Sequence, residues 1–108
     1  MSLNLFKPIA DYFATDRAEH EAIAQLFTAN AVVKDEGRVY HGRSAIRQWK
    51  AESSTKYTYT SEPFASEERG GKIIVTSRLT GNFPGSPVNL RFFFGLEGDK
   101  IASLEIVP

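Results

Sequence analysis

The chain has 108 residues, enough for one compact domain and too few for two independent cores. Hydrophobic residues make up 42%, with eight Phe, four Tyr and one Trp, which argues against intrinsic disorder. Lys plus Arg number 13 and Asp plus Glu number 13, so net charge gives no reason to expect nucleic acid or an anionic membrane as principal partner.

Cysteine is absent, which excludes disulfides, thiolate nucleophiles and cysteine-based metal sites. Only His20 and His41 offer imidazoles, so a three-histidine zinc site cannot form within one chain, and neither metal nor cofactor is expected. The N-terminus lacks a basic region followed by an apolar core and a small-residue cleavage site, and no apolar run reaches spanning length. A cytoplasmic location is the expectation that fits these features.

Residues 3–13 read as a first helix, with Leu5, Ile9 and Phe13 at i,i+4 spacing and Pro8 in the first turn. Tyr12 sits beside that stripe, able to pack its ring while aiming its hydroxyl toward a cavity. A second helix follows, opened by Asp16 with Glu19 in the manner of a capping box and buried along Ala22, Ile23, Leu26 and Phe27. Residues 31–34 and 38–41 then form two short strands around the Asp35–Glu36–Gly37 turn. Asp35 is the carboxylate best suited to accept a substrate proton, provided partial burial raises its pKa. His41 could serve as an acid or base, or simply brace the loop. Residues 44–53 are a third helix, with Ile46 and Trp49 on one packing surface.

Residues 56–64 carry Tyr57 and Tyr59 on one face of a strand, where polar-tipped rings can line a cavity. Pro63 limits its ladder, and residues 67–71 turn into a strand over 72–80. After a long connection, residues 88–96 and 101–107 make an antiparallel hairpin across the Glu97–Gly98–Asp99–Lys100 turn. Asn89, Arg91, Phe93 and Gly95 share one face of its first leg, and Leu90, Phe92, Phe94 and Leu96 share the other. If Arg91 points beneath the helices, it creates a mixed apolar and polar pocket. Leu90, Phe92 and Phe94 then lie on the outer face and need a partner surface, which predicts a homodimer through the outer face of the sheet.

The order and motifs resemble the nuclear transport factor 2-like superfamily, particularly small SnoaL-like proteins. The pieces that carry the likeness are ADYFATDRAEHEAIAQLFTANAVVKDEG, YHGRSAIRQW and GNFPGSPVNLRFFFGLEGDKIASLEI. The resemblance covers almost the whole chain and implies an α+β cone: three helices packed on a curved mixed, largely antiparallel sheet around a pocket. Ketosteroid-isomerase-like members use a pocket carboxylate as base, with a tyrosine and a protonated carboxylic acid at the enolate oxygen. On that correspondence Asp35 falls at the base and Tyr12 near the tyrosine, whereas the second acid falls at or near Arg91. A guanidinium there is a cationic donor able to hold an oxyanion or carboxylate, or to pair with Asp35 or Glu105. SnoaL-like cyclases supply a His and Asp precedent for His41 and Asp35.

Three functions follow as expectations. A binding or accessory protein would hold a small hydrophobic or amphiphilic molecule through Arg91, Asn89 and Glu105 among Trp49, Tyr57, Tyr59 and Phe93. An isomerase, cyclase or hydratase would use Asp35, Tyr12, His41 and Arg91 on a carbonyl compound. A structural or protein-interaction role would need no pocket.

Overall fold

The computed structural model of the chain describes residues 4–15 and 19–108. Helix α1, Lys7–Ala14, begins where Pro8 fits the first turn, since proline needs no helical N–H donor partner there. It buries Pro8, Ile9 and Tyr12, so the hydroxyl-bearing ring lies in the packed stripe and Phe13 at its border. The start expected at residue 3 and the Asp16 cap lie outside the described residues. Helix α2, His20–Ala24, is shorter than the pattern predicts, because Gln25 and Leu26 turn and Phe27 already opens a strand.

Strands β1, Phe27–Asp35, and β2, Arg38–His41, form a hairpin whose turn residues Glu36 and Gly37 both have positive φ, 52° and 76°. Two successive left-handed residues suit the tight turn that matches strand twist. Helix α3, Arg43–Lys56, covers this hairpin and packs on α2. Strands β3, Tyr59–Arg69, β4, Lys72–Gly81, β5, Val88–Glu97, and β6, Lys100–Val107, complete the chain.

The six strands make one sheet in the order β2-β1-β6-β5-β4-β3. Only β1 with β6 is parallel, which makes the sheet mixed. The N-terminal hairpin thereby docks on the last strand, a pairing no local pattern announces. It also extends β1 back to Phe27, opposite Ile101. Pro63 sits in the edge strand β3 at a register shift between Pro63 and Ala65, where a missing N–H leaves no central ladder bond unmade.

Register fixes the two faces. Val33, Leu104, Phe94 and Ile73 lie in one cross-strand row, and Asp35, Ile106, Phe92 and Val75 in the next. Both rows lie on the helix-covered face, where all except Asp35 and Ile106 are buried with Ile9, Tyr12, Ile23, Ile46 and Trp49 in one core. The opposite face carries Asn89, Arg91, Phe93 and Gly95 of β5 with Ser103, Glu105 and Val107 of β6. The expected orientation of β5 is therefore reversed. The reason is energetic: burying each large apolar side chain contributes about 1.5–3 kcal/mol. Facing Leu90, Phe92, Phe94 and Leu96 outward to admit one guanidinium would forfeit several such contributions. On the outer face Lys72 of β4 reaches across Gly95 to the Ser103 hydroxyl at 2.8 Å, a path open only because residue 95 lacks a side chain. No helix among the described residues is long and apolar enough to cross a membrane.

Candidate functional site

A cleft of about 970 Å³ opens between the helices and the inner face of the sheet. Its wall is strongly aromatic: Tyr12, Tyr40, Trp49, Tyr57, Tyr59 and Phe92 all contribute. Each reaches it for a local reason. Tyr12 follows Ile9 by three residues on the buried stripe of α1, and Phe92 lies at the centre of β5. Tyr40 and Arg38 alternate inward along β2, while Val39 and His41 alternate outward.

Asp35 ends β1 at the cleft, opposite Arg38 and beside Ile106. The Trp49 indole N–H donates to its Oδ2 at 3.0 Å. Burial raises the Asp35 pKa from its ordinary value; the Glu36 charge adds to this, while the Trp49 hydrogen bond, the Lys50 charge and a hydrogen bond from the Glu36 backbone pull partly back. The net direction is upward, toward a carboxylate that takes a proton more readily than one in water.

Lys50 is the residue that the sequence patterns did not single out. It is 7% exposed and lies one turn beyond Ile46 on the buried face of α3. Its ammonium donates a long hydrogen bond to the Tyr12 hydroxyl at 3.3 Å and stands 5.0 Å from the centre of the Trp49 ring. Ammonium over an indole face is a favourable electrostatic contact. The spacing Ile46, Trp49, Lys50, Ser53 follows i, i+3, i+4, i+7, and a lysine on such a stripe is itself the signal. Tyr12 is 6% exposed, and burial, with smaller contributions from Tyr59 and Asp35, holds its phenol well above its usual value. The group therefore stays protonated and serves as a donor.

The structure brings Tyr12, Asp35, Trp49, Tyr57 and Tyr59 to one cleft. It does not bring Arg91, Asn89, Phe93, Glu105 or His41 there. Arg91 is exposed on the outer face, its guanidinium 5.7 Å from the Phe93 ring centre on the same face. Asn89 shares that face because it is two residues from Arg91, and Glu105 lies opposite Phe93. His41 is exposed and points away from the cleft by strand alternation, so it does not join Asp35 there as the cyclase precedent would require.

Comparison with solved structures places this geometry among relatives. A candidate polyketide cyclase from Sinorhizobium meliloti shares 36% sequence identity over 95% of both chains, with a TM-score of 0.89. The chain belongs to the nuclear transport factor 2-like, SnoaL-like superfamily. A ketosteroid-isomerase-like fold from Catenulispora acidiphila, solved with trimethylamine, is 20% identical over 92% of this chain and 79% of its own, with a TM-score of 0.74. SalBIII, an epoxide hydrolase/cyclase-like enzyme with a role in pyran ring formation in salinomycin, is 24% identical over 93% and 86%, with a TM-score of 0.77. These two show the superfamily fold alone. No protein-family model matches the chain, and no curated protein matches it.

Proposed function

We propose that the cleft binds a small amphiphilic carbonyl compound and acts on it by cofactor-independent proton transfer, in the manner of an isomerase or cyclase. The observation that carries this reading is a carboxylate of raised pKa, Asp35, in an aromatic cleft shared with the buried hydroxyl of Tyr12. Asp35 takes a proton from the carbon beside the carbonyl, the C–H electron pair becomes a C=C bond as the carbonyl π pair moves onto oxygen, and the Tyr12 hydroxyl donates to the enolate so formed. Return of the proton to another carbon is isomerisation; attack of the enolate carbon on an internal electrophile is cyclisation. A positioned base contributes about 10²–10⁴ in rate. The likeness to a candidate polyketide cyclase supports a substrate with several carbonyl groups.

The test needs no knowledge of the product. Enolisable aryl ketones, 2-tetralone among them, are incubated with the protein in D2O, and deuterium gain beside the carbonyl is followed by NMR. Exchange above the buffer rate that is lost in Asp35→Asn supports the reading. Binding of the ketones with no enhanced exchange contradicts it and leaves a binding or accessory role. That second reading is favoured by the Trp49 donor and the Lys50 charge, which both hold Asp35 toward its ionised form, suited to accepting a ligand's hydrogen bond.

The outer face suits a second copy of the chain. It mixes half-buried Val32, Phe93 and Val107 with Lys34, Arg91 and Glu105, so both charge signs lie within one patch and can pair across a two-fold axis. Sedimentation should give twice the chain mass, reduced to the monomer by Phe93→Glu; a monomeric wild type at high concentration removes this assignment.

A further inference from the structure

We infer that Lys50 is the cation that receives the enolate oxygen, its ammonium standing beside the Tyr12 hydroxyl that donates to the same oxygen, so that the substrate is a neutral enolisable ketone or β-dicarbonyl. This rests on Asp35 acting as the base. Three observations carry it. Among the cationic residues lining the cleft, Arg38 and Lys56 are exposed, whereas Lys50 is buried. Its ammonium hydrogen bonds to the hydroxyl assigned to the enolate oxygen. Its charge also acts on Asp35.

The charge balance is what makes this placement useful. Before reaction, Asp35 is −1, Lys50 is +1 and the ketone is neutral. After proton transfer, Asp35 is a neutral acid, Lys50 is still +1 and the enolate is −1. With Lys50 in place the negative charge has a cationic partner on both sides of the step, first as the carboxylate and then as the enolate. A base facing only neutral donors would instead exchange one uncompensated anion for another. The lysine also polarises Tyr12: an ammonium donating to the phenol oxygen strengthens that phenol's own O–H as a donor. A substrate arriving as a carboxylate would upset the balance by adding a second anion beside Asp35.

The test uses 5-phenyl-1,3-cyclohexanedione, an enolate at neutral pH, against its methyl enol ether, which is neutral and nearly the same shape. Both are titrated by calorimetry into protein carrying Asp35→Asn, where the amide stands in for the protonated acid. The dione should bind about tenfold to a hundredfold more tightly than the ether. Adding Lys50→Met should bring the ratio near one by weakening dione binding more than ether binding, and Lys50→Arg should keep part of the preference. The inference is overturned if Lys50→Met leaves the ratio unchanged, if there is no preference to begin with, or if ether binding falls as far as dione binding. Should wild-type protein fail the deuterium-exchange test while the dione preference depends on Lys50, the base role of Asp35 falls and the cation assignment stands. Exchange without any such preference removes Lys50 and leaves the base.

Discussion

Replacing Trp49 with Phe keeps an aromatic ring under α3 but removes the indole N–H that donates to Asp35 at 3.0 Å. The site is 4% exposed, so the smaller ring also leaves space, at a pH-independent loss of about 1–2 kcal/mol. The hydrogen bond adds a part that depends on pH. To an ionised carboxylate it is worth about 1.5–3 kcal/mol, to the protonated acid about 0.5–1.5. The substitution should therefore destabilise the fold by about 1 kcal/mol more at pH 8 than at pH 3, or about 4–8 °C in the melting temperature of a domain this size. Far-UV circular dichroism is the appropriate probe, since the variant has lost the single tryptophan. The same donor pulls the Asp35 pKa down, so its removal should also move the rising limb of the exchange rate to higher pH. Equal destabilisation at both pH values would refute the claim that Trp49 supports the charged form of Asp35.

Three further outcomes follow from the same geometry. Because burial raises the folded-state pKa of Asp35 above its unfolded value, the acid's contribution is present below the ordinary carboxylate range and is lost as pH rises through the folded pKa. Asp35→Asn should accordingly melt above wild type at pH 8, and the gap should close on acidification; a variant less stable at pH 8 than at pH 3 relative to wild type contradicts the burial argument. Arg91→Ala alters only the outer face and should leave dione binding in the cleft within about twofold, measured by the same titration, with a tenfold loss refuting the face assignment. Gly95→Ala drives a Cβ into the Ser103 hydroxyl and should cost about 1–3 kcal/mol in urea denaturation, part of it recovered with Ser103→Ala.

Much of the fold is legible locally. The glycine turns and alternating β4, β5 and β6 segments mark their own boundaries within one or two residues, and Arg38–His41 emerges at its observed limits. The parallel seating of β1 on β6 is not legible, because it joins segments some seventy residues apart and leaves no periodic trace. Nor is the continuation of β3 past Pro63 and residue 64 to Arg69, which depends on that strand being an edge. The site divides along similar lines. Asp35, Tyr12, Trp49, Tyr57 and Tyr59 stand where strand ends and helix stripes put them. Arg91 illustrates the opposite case: the alternation in β5 is plain, but a strand has two faces, and a functional analogy assigned the guanidinium to the wrong one. The unbroken apolar run of Leu90, Phe92, Phe94 and Leu96 was the better guide. Lys50 is hidden because a lysine on a helix is ordinarily solvated; only its place on the Ile46–Trp49 stripe distinguishes it.

A crystal structure of the protein with 5-phenyl-1,3-cyclohexanedione tests the central claim most directly. One enolate oxygen should lie within hydrogen-bond reach of both the Tyr12 hydroxyl and the Lys50 ammonium, with the carbon between the two carbonyls facing Asp35. A dione seated on the outer face beside Arg91 and Phe93, or lying in the cleft with its oxygens turned away from Tyr12 and Lys50, would contradict it.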